Sequence, residues 1–131
     1  MSKKRPLGEA EEEANDELNV AVVRGTCSSP ADVRTLPSGD VLAQLQVSAR
    51  VGDSVTSVPV AVLDPPAWVQ QLDSGEEVIV IGHVRRRFFR AAGATASRVE
   101  IQAELVARAR DRRRAAAARR RVADLLAAID E

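Results

Sequence analysis

Aromatic residues are nearly missing from this 131-residue chain: there are three, Trp68, Phe88 and Phe89, and no tyrosine. The apolar share is nonetheless 45%, carried mostly by alanine and valine, so we expect an aliphatic core. A single cysteine, Cys27, excludes an intrachain disulfide and suits a reducing compartment. A single histidine, His83, leaves no cluster of metal-ligand type, and it makes a weak case for activating Cys27 as a nucleophile. The acidic residues form no motif for acid–base work, and no phosphate-cradling glycine loop is present. We read no enzyme, no metal and no cofactor. Long apolar runs are missing as well. Lys3, Lys4 and Arg5 resemble the start of a signal peptide, but Glu9, Glu11, Glu12 and Glu13 follow where an apolar stretch belongs. We therefore expect no secretion signal, no membrane span or membrane partner, and a cytoplasmic, nucleoid-associated location.

The length points to one domain with tails. Formal charge is zero, but it is unevenly spread. Residues 1–17 carry three basic and six acidic side chains, residues 18–107 eight and nine, and residues 108–131 eight and four. An acidic head and a basic tail of this kind mark interaction arms. We divide the chain accordingly: a disordered acidic tail over 1–17, a β domain over 18–107 and an Arg/Ala-rich helix over 108–131.

Strand patterning begins at Leu18, Val20 and Val22, and Asp32–Leu36 reads as a continuation of that strand after a turn at Ser28-Ser29-Pro30. Pro37-Ser38-Gly39-Asp40 is a strong turn signal. Val41, Ala43, Leu45, Val47 and Ala49 then alternate with mostly polar residues, as in a half-buried antiparallel strand. Val55–Leu63 is a third strand, and Pro59 within it implies an edge or a bulge. Asp64-Pro65-Pro66 opens a short helix that contains Trp68, with Asp64 able to cap it. We expect Trp68 to plug one end of the core. Glu77–Phe89 and Arg98–Val106 form a hairpin around Ala91–Ala94. Five short strands with a helix between the third and fourth match the OB-fold, a mainly β five-stranded barrel, here followed by a C-terminal α-helix.

The fourth strand carries the chemistry. It opens apolar at Val78–Ile81 and ends as Arg85-Arg86-Arg87-Phe88-Phe89-Arg90. Side chains alternate across a strand, so Arg85, Arg87 and Phe89 share a face. Guanidinium groups that hold phosphates beside a ring that stacks on a base make a single-strand nucleic-acid site. Arg34, Arg50, Arg90 and Arg98 are the further candidates to join that face.

The chain resembles the bacterial single-stranded DNA-binding protein family over about residues 18–107. Asn19–Gly25 is similar to that family's opening strand, Pro30–Arg34 with Leu36–Gly39 to its D-P-E-x-R and P-x-G turn, and Leu72–Gly82 to its L-x-K-G-x-x-V-x-V-x-G element. The resemblance implies a homo-oligomer, dimer or tetramer, that coats single-stranded DNA in replication, repair and recombination. It implies stacking by Phe89 with Arg85 and Arg87 beside it, and it sets Arg34 at the arginine of the D-P-E-x-R element. The departures are specific. Ser57 or Val58 stands where the family usually has an aromatic, and the loop Val51–Ser54 is short. The basic Arg112–Arg121 run replaces a flexible linker, and the acidic, apolar tip that recruits repair proteins is missing. That pattern is expected of a divergent or accessory member.

Two alternatives stay open on sequence. The barrel could serve as a protein-interaction module with little DNA binding, favoured if the arginine face is buried or acid-paired. RNA could replace DNA, because stacking and phosphate contacts do not separate the two. The basic tail has three uses: association through Val122, Leu125, Leu126 and Ile129, phosphate contacts from Arg112, Arg113, Arg114, Arg119, Arg120 and Arg121, or membrane contact. Asp124, Asp130 and Glu131 argue against the last.

Overall fold

The computed structural model describes residues 17–129. The expectation of a disordered acidic tail therefore lies, Glu17 apart, outside the described residues. The elements are β1 (Ala21–Cys27), β2 (Asp32–Thr35), β3 (Val41–Val51), β4 (Ser54–Leu63), α1 (Ala67–Gln70), β5 (Glu77–Ala91), β6 (Ala94–Arg108) and α2 (Arg112–Ile129). Strands follow the order β1-β5-β6-β4-β3, and β3 returns to β1 at Thr26–Ser48 and Cys27–Val47. This closes a five-stranded barrel. Its pairings are antiparallel except β4–β6, which is parallel through Val60–Ile101 and Ala61–Gln102.

The OB-fold read from the pattern is the fold observed, with two local corrections. Asp32–Thr35 does not continue β1. It is a separate strand, hairpinned onto β3 through the turn at Leu36–Asp40, where Leu36 N–H donates to Asp40 O at 2.7 Å. Asp64 does not cap α1. The cap position is Pro66, with no side-chain hydrogen bond, and Asp64 instead takes a positive φ of 53°.

The core is aliphatic. Leu45, Val47, Val60, Val69, Leu72, Val78, Val80 and Cys27 are buried together, each contributing roughly 1.5–3 kcal/mol of apolar transfer for a fully buried Val- or Leu-sized side chain. On β1 the inward residues are Ala21, Val23 and Cys27, while Val22 and, just before the strand, Leu18 and Val20 stay exposed. Pro59 is tolerated because β4 pairs with β6 only from Val60 onward, so the missing N–H falls on an unpaired edge. Burial, with the Glu76 carboxylate adding to it, pushes the Cys27 thiol pKa up, which is the behaviour of a packed small residue.

One irregularity organises the outer surface. Ile81 pairs with Leu105 but Gly82 pairs with Ala103, so Glu104 is an extra residue in β6. A bulge of this kind shifts the facing of the strand by one. Ile101 and Ala103 face the core, whereas Leu105 turns outward with Ile79 and Ile81. Gly82 is required there, since a Cβ would collide with the backbone carbonyl of Gln102. Helix α2 covers this outward patch with Ala115, Ala118, Val122 and Leu125. Asp111 caps it, its Oδ1 accepting from Arg114 N–H at 3.1 Å. Leu126 and Ile129, expected on the same stripe, are exposed. No helix among the described residues is long and apolar enough to cross a membrane.

Candidate nucleic-acid interface

Helix α2 packs on the β5–β6 hairpin at Ile79, Ile81 and Leu105, and the arginine-rich stretch of the same outer face lies further along β5. The register sets Arg85 opposite Glu100, Arg87 opposite Arg98, and Phe89 opposite Ala96. Like charges directly opposed across a ladder repel, so the Arg87–Arg98 pair needs a counter-charge. Glu100 supplies it. Its Oε2 accepts from Arg85 Nε at 3.2 Å and Nη2 at 3.1 Å, and its Oε1 accepts from Arg87 Nε at 3.1 Å. Arg98 Nε stands 3.8 Å from the same Oε1, an ion-pair distance without a hydrogen bond. Gln44 of β3, its amide turned to meet these donors, accepts from Arg87 Nη2 at 2.7 Å and Arg98 Nη2 at 3.3 Å.

Glu100 is 1% exposed, whereas the side chains of Arg85, Arg87 and Arg98 are 40%, 28% and 36% exposed. The carboxylate lies beneath and the guanidiniums present their outer edges to solvent. A buried carboxylate is costly unless paired and hydrogen-bonded. Here it is held by three cations, and in return it fixes the aim of their planar forks.

These groups border an open groove of about 280 Å³ lined by Arg34, Gln44, Arg87, Phe89, Arg90 and Arg98. Arg34 also pairs with Asp32, Nη2 to Oδ2 at 3.0 Å. With Arg85, the groove and its floor hold five guanidiniums against two carboxylates. The Arg87 guanidinium carbon lies 5.8 Å from the centre of the Phe89 ring, within cation–π range. Arg90 donates to Gly93 O at 3.0 Å, which folds it back along the hairpin turn.

Of the seven residues singled out in the sequence, five line this groove: Arg34, Arg87, Phe89, Arg90 and Arg98. Arg85 joins them through Glu100. Arg50 does not. It is exposed on the same face of β3 as Gln44 but six residues along, about 20 Å away at the usual rise per residue. Sequence reasoning missed Gln44 and Glu100, which gain their meaning only from register. It also passed over Phe88, which is 68% exposed on the opposite face of the hairpin. His83 lies on the Arg85 face, opposite Gln102.

Trp68 packs against the barrel core as expected of a plug. Two guanidiniums cover its ring, Arg108 at 5.0 Å and Arg114 at 5.5 Å from the centre. Arg108 Nε also donates to Glu76 at 3.0 Å. Glu76 is held below the usual carboxylate range, first by the backbone N–H of Asp73 and then by Arg108 and Arg110. Glu77 is likewise lowered by its hydrogen bond and ion pair with Arg24.

The barrel order, the helix between its third and fourth strands and the long fourth–fifth hairpin together define an OB-fold. The crystal structure of the wild-type single-stranded DNA-binding protein from Thermus aquaticus shares it, with a TM-score of 0.58 and 20% sequence identity over 70% of this chain. The match covers 40% of the Thermus chain. No protein-family model and no curated protein matches the sequence.

Proposed function

We propose that this protein binds single-stranded nucleic acid, DNA foremost, through the β5–β6 groove with little sequence preference. The observation that carries this is one open groove on an OB barrel where Arg34, Arg87, Arg90 and Arg98 converge beside the Phe89 ring. Backbone phosphates meet the guanidiniums, and a base stacks on the side of Phe89 that Arg87 leaves free. Arginine planes take part of the stacking load that the missing third-strand and loop aromatics would otherwise carry. The strand-coating roles in replication, repair and recombination follow from the same binding.

The test is anisotropy of a labelled poly-dT oligonucleotide at low and physiological salt, with a duplex control. Three to five phosphate contacts give a log–log salt slope of about −2 to −3.5 for a single strand. Phe89→Ala should cost on the order of 1–3 kcal/mol. No preference for the single strand at low salt would sink the proposal. Glu100 favours a second reading, because it neutralises part of the arginine face, as a barrel retained for protein contacts would. That reading gains if the titration shows no single-strand binding.

Self-association belongs to the same proposal. Among the described residues β1 pairs with β3 only at Thr26 and Cys27, so its stretch from Ala21 to Gly25 has one free edge. Leu18, Val20 and Val22 are exposed beside it. Two copies pairing there give a dimer, and sedimentation equilibrium should return twice the mass of one chain. A monomer at micromolar concentration would refute this.

A further inference from the structure

Helix α2 carries six arginines and a single acid, Asp124. The arginines come as two triplets seven residues apart, Arg112–Arg114 and Arg119–Arg121, so the members at the same place in each triplet share a face. The structure sorts the three resulting rows. Arg114 and Arg121 turn toward the barrel. Arg114 pairs with Asp111 at 3.2 Å and lies over Trp68, and Arg121 pairs with Glu104 at 3.4 Å. The other two rows, Arg112 with Arg119 and Arg113 with Arg120, are exposed and hold no carboxylate among the described residues. Packing does not account for these four, since α2 holds the barrel through Ala115, Ala118, Val122 and Leu125. Helix formation does not account for them either. Arginines open the first turn with no acid among them, where the helix dipole disfavours cations. A bound polyanion relieves that cost.

The helix is also aimed. Ile79 and Ile81, beneath α2, alternate onto the same face of β5 as Arg85, Arg87 and Phe89. On the partner strand, β6 runs from Glu100 under the groove through Glu104 to Arg108. Helix α2 starts beside Arg108, whose guanidinium shares the Trp68 ring with that of Arg114, and it passes Glu104 at Arg121. It therefore runs back along β6 toward the groove. The order on this face is Arg112 and Arg113, then Arg119 and Arg120, then the groove. Glu104 stands about 13 Å from Glu100 at the usual rise per residue.

We propose that the outer face of α2 is a second phosphate-binding surface, and that a single strand seated in the groove continues along it over Arg119, Arg120, Arg112 and Arg113. This rests on the single-strand binding proposed above. Arginine forks suit phosphate oxygens. The helix has no aromatic residue, so it adds charge contacts without stacking or base preference. The length of strand bound is then set by groove and helix together.

The test compares the full chain with its R112Q/R113Q/R119Q/R120Q variant. Glutamine is a good helix former, the buried seam is untouched, and far-UV circular dichroism checks that the helix persists. Poly-dT anisotropy is read on two lengths, about 8 nucleotides, within the span of one OB barrel, and about 30. On the long strand the variant should bind roughly ten- to a hundredfold more weakly at low salt, with a log–log salt slope shallower by up to about 2.8 for four lost contacts. The short strand should lose much less, and nothing at physiological salt, where charges beyond about 8 Å are screened. Equal affinity and slope on the long strand overturn the proposal. So does an equal loss on both lengths, which is general attraction and not an added path. A wild type that binds neither length fails the groove and this extension together, whereas a wild type and variant that bind the long strand alike fail the extension alone.

Discussion

At the residue scale, Glu100 decides more than any other side chain. Buried at 1% exposure beneath three guanidiniums, it removes the repulsion between Arg87 and Arg98 and sets their orientation. The sequence placed it on the polar face of its strand with Arg98 and Gln102, which is correct. It could not show that Glu100 faces Arg85 across the ladder, because register between strands is not written in either strand alone. Glu100→Gln keeps the shape and part of the hydrogen bonding but deletes the charge. We expect a stability loss of roughly 1–3 kcal/mol in urea unfolding, the range for a buried hydrogen-bonded group losing its match. We also expect a steeper salt dependence of DNA binding, by up to about 0.7 in log–log slope, since one more positive charge is free for a phosphate. A variant as stable as the wild type, with the same slope, would show that the carboxylate does not organise the arginines.

At the element scale, the β5–β6 hairpin and the bulge in it separate two surfaces of one sheet face. The first half of β5 turns Ile79 and Ile81 into the α2 interface, and the second half turns Arg85, Arg87 and Phe89 into the groove. The alternation of β5 was legible in the sequence. The bulge at Glu104 was not: Val99, Ile101, Ala103 and Leu105 read as one unbroken face, yet Leu105 lies on the other. The hairpin tip offers a direct test of how firmly the hairpin is held to the barrel. Ala92 and Gly93 both have positive φ, 51° and 80°, as a type I′ turn requires. Alanine in the left-handed region costs roughly 1–2 kcal/mol, and asparagine tolerates it better. Ala92→Asn should therefore raise the melting temperature by roughly 2–5 °C, given about 4–8 °C per kcal/mol in a small domain. An unchanged or lower midpoint in calorimetry would mean the tip melts apart from the barrel.

At the scale of the whole molecule, zero net charge hides an uneven distribution along the sequence: residues 1–17 carry three basic and six acidic side chains, and residues 108–131 eight and four. Stability against pH follows from the perturbed groups. The pKa values of Glu76 and Glu77 are depressed in the folded state. Their contribution is thus complete above the unfolded value of about 4.3 and is lost as pH falls through the lower folded values. The Cys27 pKa is raised, so its contribution is complete below about 8.5 and is lost as pH rises beyond it. Thermal midpoints should be level between about pH 5 and 8 and fall on both sides. Glu76→Gln should flatten the acid limb, and a midpoint that holds down to pH 3 in the wild type would contradict this account.

Patterning alone determined the barrel, the aliphatic core and the Arg85/Arg87/Phe89 face. Those depend on period-two alternation and on turn residues, which are local properties of the chain. Tertiary structure decided the rest: the separate β2 hairpin, the inward turn of Ala21 and Val23 while Val20 and Val22 stay exposed, the packing of α2 through Ala115 and Ala118, and the joining of Arg34 and Gln44 to the hairpin. Each of these depends on which strand lies beside which and in what register. Register is set by the fit of all faces at once and by a single extra residue at Glu104, so it exists only once the barrel has closed.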